Sequence, residues 1–334
     1  MPTRDDVARL AGVSGATVSR VFNHPDKLRE ATCERVLTAA KALNYHPNYY
    51  GSVLRGKATK QLYAFCPELA NPFFLHMYFG MEQYALEHNY QIFLTRTFNR
   101  EMIHQGRYDG FLFLVYNTDD VINDIHFLSD KHLPFVISDF QNMVRKDFPT
   151  VSVDVEAVGF NAAKHLFELG HDNIVFAASQ IDPKWIGVQK CCDQFNKHAS
   201  LQFLQNGKGI RNYFDIGARC ATSIVKMKKI PTAIIAANDE IAVGLINELT
   251  RLGFKVPNDI SVIGFDDTYI AANCNPSLTT IHYPKSRIGR EMARMLIAML
   301  NGDSTQKNII LQTEFVQRES TSQHGCSYYT KQDK

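Results

Sequence analysis

Apolar positions recur at helical spacing in the first part of the chain. Val7, Ala8, Leu10 and Ala11 share that spacing until Gly12-Val13-Ser14 interrupts it. Thr3-Arg4-Asp5-Asp6 fits a capping box and predicts where the first helix starts. Ser14 can cap a second helix whose inward residues are Val18 and Val21, which leaves Gly15, Ala16, Thr17, Ser19 and Arg20 outward. After a turn around Pro25, Val36, Leu37, Ala40 and Leu43 predict a third helix over about 30–43 that closes a small three-helix core. Pro47 bars its continuation.

From Gln61 the texture changes. Short apolar runs predict strands at 62–66, 91–95, 109–116, 134–138 and 151–153, with 67–74 a loop and 79–88 a helix. The second half repeats this logic, with helices at 157–169, 240–252 and 287–300 among strands at 173–178, 232–237 and 260–265. Such alternation predicts parallel sheets with helices on both faces, arranged as two α/β lobes. The expected domains are an all-α head over 1–46, a linker over 47–60, a two-lobe core over 61–321 and a polar tail over 322–334.

Charge sharpens this division. The formal net charge of the 334 residues is +2, yet residues 1–60 hold ten Lys or Arg against five Asp or Glu, so the other 274 sum to −3. A basic head on a mildly acidic body predicts that the head meets a polyanion. Seven cysteines without CxxC or Cys/His ligand spacing predict reduced thiols and no metal site. The adjacent Cys191-Cys192 leaves two readings, packing residues or a redox pair. No signal peptide precedes the helix pair, and runs such as 110–116 are too short to span a bilayer, so a cytoplasmic protein without membrane contact is expected. Neither GxGxxG nor GxxxxGK(S/T) occurs, and no cofactor is expected.

The outward face of the second helix suits the DNA major groove. It has a low profile, hydroxyls for phosphates, and in Arg20 a guanidinium able to bridge guanine O6 and N7. A helical hairpin with a solvated face is the alternative. Behind the head, residues 49–60 are basic at their end through Arg55, Lys57 and Lys60, and carry Val53 and Leu54 with no obvious core to enter. Gly51 lowers helix stability there by about 1 kcal/mol relative to alanine. A plain flexible linker is one reading of this stretch.

DVARLAGVSGATVSRVFN over 6–23, followed by VLTAAKALNYHPN over 36–48, resembles the head of the lac repressor (LacI/GalR) family of bacterial transcription regulators. The resemblance runs on, in order, through Asn71-Pro72-Phe73-Phe74, Leu169-Gly170-His171, Pro231-Thr232-Ala233, Ala237-Asn238-Asp239, Gly264-Phe265-Asp266-Asp267, Pro276-Ser277-Leu278-Thr279-Thr280-Ile281 and Arg318-Glu319-Ser320-Thr321. It implies a helix-turn-helix head, a hinge helix that folds on operator DNA in a dimer, and two periplasmic-binding-protein-like lobes joined by crossing strands. Gly15, Ala16 and Arg20 would stand at base edges, Thr17, Ser19 and Asn23 at phosphates, and Leu54 would wedge into the minor groove.

Three departures in the head matter. Arg4 and Asp5 replace apolar and basic or aromatic residues, Arg29 stands where a serine commonly caps the third helix, and Gly15 and Ala16 offer no hydrogen bonds. Readout therefore falls more heavily on Arg20.

Loops after the predicted strands supply Phe73, Phe74, Asp139, Tyr213, Asn238 and Asp266, a set of acceptors and aromatic faces suited to a carbohydrate. Asp139, Asn238 and Asp266 occupy positions that contact sugar in the family, although an Asp at a strand end can equally be a helix cap or a structural turn. The family's ligand-gripping arginine has no counterpart in Trp185–Cys191 read against R-L-x-G, and the first lobe looks shortened over 97–107.

The expected protein is a homodimeric repressor that binds a pseudo-palindromic operator and is controlled by a small effector, most simply a sugar. Control by a partner protein is an alternative. A sugar-acting α/β enzyme using Asp266-Asp267 and His282 is another, but no nucleophile elbow, metal set or phosphate loop accompanies it, and no catalytic residue is assigned.

Overall fold

The computed structural model describes residues 2–23, 25–43, 45, 58–104, 107–115, 119–140, 147–179, 182–203, 212–303, 305 and 308–325. The expected hinge helix with Leu54, and Tyr328-Tyr329 of the tail, lie outside the described residues. The chain divides into two compact units, Met1–Thr59 and Lys60–Lys334.

In the first unit, α1 (Arg4–Ala11) opens on the expected capping box. Asp6 N donates to Thr3 Oγ1 at 3.3 Å while Thr3 N donates to the Asp6 carboxylate at 2.9 Å. The helix ends on Gly12, whose φ of 65° lies in the left-handed region where a side chain is unfavourable. α2 (Gly15–Asn23) starts on Ser14, whose Oγ accepts from Thr17 N at 3.1 Å. α3 (Glu30–Ala42) closes a core of Val7, Ala8, Ala11, Val18, Val21, Val36, Ala39 and Ala40. Leu10 and Leu37 were expected inside but are 56% and 50% exposed. Val36, Ala39 and Ala40 already form the buried stripe of α3, and Leu37, about 100° around the helix from Val36, falls beside it.

Arg29 caps α3 with extended backbone and no side-chain hydrogen bond. Arg29→Ser is therefore expected to stabilise the head by about 0.5–2 kcal/mol. Amide exchange of α3 in the full chain should slow by the corresponding factor; unchanged exchange would remove the capping argument.

The second unit holds two parallel sheets. The first contains β1 (Gln61–Phe65), β2 (Gln91–Thr95), β3 (Gly110–Val115), β4 (Phe135–Asp139), β5 (Thr150–Val153) and the late strand β11 (Asn308–Leu311), in the order β11-β5-β4-β3-β1-β2. The second contains β6 (Asn173–Ala178), β7 (His198–Phe203), β8 (Ala233–Ala236) and β9 (Ser261–Ile263), in the order β7-β6-β8-β9. Between the lobes, β10 (Thr280–His282) pairs antiparallel with β12 (Glu314–Val316), and the return of β11 to the first sheet shows that the chain crosses between lobes more than once.

α4 (Pro72–Glu87) begins well before the predicted 79. Asn71 Oδ1 caps it by accepting from Phe73 N at 2.9 Å, and Pro72 takes the first helical position, where its missing N–H is harmless. α5 (Arg100–His104) is a single short turn where the sequence looked shortened. α6 (Asp119–Asp130) follows β3.

The second lobe carries α7 (Val155–Glu168), α8 (Lys184–Phe195), α9 (Tyr213–Ile224), α10 (Asp239–Arg251) and α11 (Tyr269–Asn273). α12 (Lys285–Leu300) returns to the first lobe and packs against α4, β3 and β4. α7 and α8 meet through Gly159 and Gly187, where backbone lies against backbone. A Cβ at Gly159 would stand 1.9 Å from Lys184 O, and one at Gly187 would stand 1.9 Å from Glu156 O. This crossing fixes the start of α8, and with it Lys184.

Candidate DNA interface and effector cleft

Burial sorts α2 into two faces. Val18 and Val21 are held in the core, while Ala16 and Arg20 are exposed and Gly15, Thr17 and Ser19 lie between. The hydroxyls of Ser14 and Thr17 are 2.9 Å apart, so Thr17 is oriented by its neighbour at the helix start. Only the backbone of Asn23 is described. A rigid helix therefore presents one guanidinium on an otherwise low surface, the geometry a major-groove reader requires.

In each sheet of the second unit the strand order reverses, between β1 and β3 and between β6 and β8. Ligands of such sheets bind beyond the carboxyl ends of the strands at that point. Asp139 is the last residue of β4 and is buried. Phe73 and Phe74 lie on the first turn of α4 rather than in a loop, and both are buried. The Phe73 ring packs edge-on with Phe74 at 5.3 Å, Phe140 at 5.3 Å and Tyr283 at 5.6 Å. Asn238 caps α10, its Oδ1 accepting from Ile241 N at 2.8 Å. Tyr213 opens α9 and donates from its hydroxyl to Glu68 Oε2 at 2.9 Å, which ties the second lobe to the loop after β1 in the first. Glu68 was not anticipated from the sequence. Burial raises its carboxyl above the ordinary range, and burial together with Glu68 raises Glu240. Burial and the same carboxylate push the Tyr213 phenol far up.

Tyr213→Phe removes this bridge and leaves Glu68 half-buried without its donor. The loss is expected at about 1.5–3 kcal/mol, the range for a hydrogen bond to a charged group, with a more open second unit. Small-angle scattering should report a larger radius of gyration; a profile identical to the parent's would contradict the bridging role.

Asp266 has a φ of 103° and a carboxyl held among charges. Burial, followed by the nearby Asp239, raises it well above the carboxylate range, while Lys184 and Lys285 pull it down. Lys285 Nζ donates to the main-chain oxygens of Asp266 and Asp267, the second at 3.1 Å. Lys184, buried, pairs with Asp182 at 2.9 Å and lies 5.1 Å over the Phe265 ring. Lys184 was not singled out from the sequence. It stands three residues before Gly187, so a cation keeps the spacing of R-L-x-G, and Trp185 packs against Phe176 at 5.9 Å.

Asp267 is tied down by Arg318 at 2.6 Å and His282 Nδ1 at 2.9 Å, while Arg318 also donates to Leu278 O at 2.9 Å. The Asp267–His282 pair thus braces the turn beside β10. The thiols of Cys191 and Cys192 are buried and pushed up to about 11 by that burial, which suits packing rather than redox chemistry. Ser322 and His324, at the start of the expected tail, hydrogen-bond Ser261 Oγ and Leu169 O.

Asp239 lies beneath this cluster and accepts from Thr268 N at 2.7 Å, Thr268 Oγ1 at 3.0 Å and Thr280 Oγ1 at 2.7 Å. Burial pushes its carboxyl up to about 7, and those donors pull back only in part. A folded-state value above the unfolded one means that the folded chain holds the extra proton. The stability gained is complete below about 4 and is lost as pH rises through about 7. The melting-temperature advantage of the parent over Asp239→Asn is expected to shrink from pH 5 to pH 8; a constant difference would contradict this.

Residues 3–48 match the model for bacterial regulatory proteins of the lacI family, and residues 163–321 match a periplasmic binding protein-like domain. The chain is 30% identical to the HTH-type transcriptional repressor PurR of Mannheimia succiniciproducens, with 96% of this chain and 98% of that protein covered. The chain belongs to the lacI family of bacterial regulatory proteins. The PurR repressor of Vibrio parahaemolyticus is 31% identical over the same shares of the two chains. Among solved structures, the transcriptional regulator CelR in complex with cellobiose is 27% identical with a TM-score of 0.70, covering 96% of this chain and all of that one. The lac repressor dimer bound to operator and the anti-inducer ONPF shares the fold at a TM-score of 0.83 and 24% identity, covering 96% and 99%. As in other lacI-family regulators, a helix-turn-helix head precedes a two-lobe α/β core of parallel sheets.

Among the described residues, no helix is long and apolar enough to cross a membrane, and no three His, Cys, Asp or Glu side chains are grouped to hold a metal ion.

Proposed function

We propose that this lacI-family regulator is a homodimeric repressor whose heads read a pseudo-palindromic operator and whose cleft binds a carbohydrate effector. The observation that carries the DNA half is the split of α2 into a buried Val18–Val21 face and an exposed face bearing Arg20. On this reading residues 1–46 are the reader, 47–60 the hinge with Leu54 as minor-groove wedge, 61–321 the effector and dimer unit, and 322–334 a polar tail. Base edges fall to Arg20, Gly15 and Ala16, and phosphates to Thr17, Ser19 and Asn23.

A second copy is supported by one stripe of α4. Leu75, Phe79 and Leu86 share a helix face and are 36%, 48% and 59% exposed. The lac repressor dimer has the same fold.

For the effector, Asp139, Asp266, Asn238, Tyr213, Phe73 and Phe74 are joined by Lys184 and Glu68. Carboxylates and an ammonium at strand ends suit a polyhydroxylated ligand. The cellobiose complex of CelR supports the same class. Lobe closure would then bias the two hinge segments toward or away from the arrangement that folds on DNA.

The test is a thermal-shift panel of sugars and purines on the full chain, paired with operator binding. A sugar should raise the melting temperature of the parent, and Asp266→Ala should abolish that shift while effector-free DNA binding survives. A shift with purines alone would overturn the carbohydrate reading.

A further inference from the structure

The recognition helix begins with a glycine, and the space its missing side chain leaves is occupied. An ideal Cβ on Gly15 would stand 3.0 Å from Arg4 Nε, 3.0 Å from Asp5 Oδ1 and 3.3 Å from Arg4 Cζ. The Arg4 guanidinium therefore lies against the first turn of α2, although Arg4 itself opens α1. It is held there by Asp5, whose Oδ1 accepts from Arg4 Nε at 3.4 Å and Nη2 at 3.3 Å. Both side chains are solvent-facing, and these contacts are long, so the pair is weak and exchangeable. Thr3 and Asp6 are committed to the cap of α1, which fixes the backbone from which Arg4 projects.

We infer that Arg4 is a second base-reading residue, which lies over Gly15 and supplies the hydrogen-bond donors that the start of the recognition helix lacks. The inference rests on the head being the DNA reader. A guanidinium presents a planar fork of donors suited to guanine O6 and N7, and from beside Gly15 it stands next to the helix end that faces base edges. Asp5 acts as a positioning residue. Its carboxylate holds the fork in place, at the cost of a negative charge near a polyanion.

The test is selection of DNA sites by the full-length protein, followed by affinity measurements over a range of salt. Arg4→Ala should lose preference at one base pair of each half-site, by roughly 5- to 150-fold per contact, while the base pair read by Arg20 keeps its preference. Arg4→Lys keeps the charge but not the planar fork, so it should relax the same base pair while the salt slope is retained. Asp5→Asn removes a negative charge and the anchor of the fork, so it should tighten binding to all sequences while weakening the preference at the base pair read by Arg4.

An unchanged preference with a salt slope reduced by about one would make Arg4 a phosphate contact and overturn the inference. An unchanged preference and slope would overturn it as well. If the parent itself selects no site, the reading of the head as a DNA reader fails, and that outcome is separate from a failure confined to Arg4.

Discussion

Arg20→Ala is expected to weaken operator binding by a two-headed protein by about 2–6 kcal/mol. Each bidentate guanidinium–guanine pair contributes about 1–3 kcal/mol of discrimination, and a dimer loses two of them. The effect should be large because no other side chain of α2 on that face carries a fork of donors able to bridge guanine O6 and N7. Gly15 and Ala16 carry no polar group, and Thr17 is already engaged with Ser14. The substitution should leave the head folded, since Arg20 is exposed and the packing contacts of α2 come from Val18 and Val21. Fluorescence anisotropy with the selected operator and single-base variants would show the loss together with relaxed preference at one position per half-site. Retained preference would remove Arg20 as the principal reader.

The second large effect concerns the fold that positions the cleft. Gly187→Val is expected to destabilise the second unit by more than the 1–3 kcal/mol usual for overpacking. Its Cβ alone would stand 1.9 Å from Glu156 O and 2.7 Å from Phe160 N, and backbone cannot step aside as a flexible side chain can. The same strain should move α8, and Lys184 at its start, away from Asp182 and Phe265. Urea unfolding should show a lower midpoint for the second unit, and any effector-induced shift should vanish even where the chain remains folded. An unfolding free energy within 1 kcal/mol of the parent's would show that α7 and α8 can separate without loss.

The sequence was most informative where local signals agree. Thr3 to Asp6, Gly12 and Ser14 set the ends of the first two helices, because each acts through its own backbone neighbours. Strands 91–95 and 173–178 were legible as apolar runs. Leu10 and Leu37 were misplaced because helical spacing identifies a broad stripe but not its edge, and a three-helix core of this size has room for only part of it.

The start of α4 was missed because 67–74 was read as a loop, although Asn71 followed by Pro72 is also a helix start. That reading put Phe73 and Phe74 in a loop, whereas they are buried on the first turn of α4. Glu68 and Lys285 could not be found by spacing. Each acquires its meaning from a partner far along the chain, Tyr213 for the first and the Asp266–Asp267 turn for the second. Lys184 was within reach, since a lysine three residues before Gly187 preserves the charge and the spacing of the missing arginine.

Arg20 on a rigid, low-profile helix and a cleft bridged by Tyr213 and Glu68 describe one device, a DNA reader governed by what enters the cleft. Selection of sites from a random DNA pool by the full-length protein, with and without sugars and purines, tests that device most directly. The expected result is enrichment of two inverted half-sites at fixed spacing, with a sugar changing the yield of bound DNA. A pool that shows no inverted repeat under any condition would contradict it.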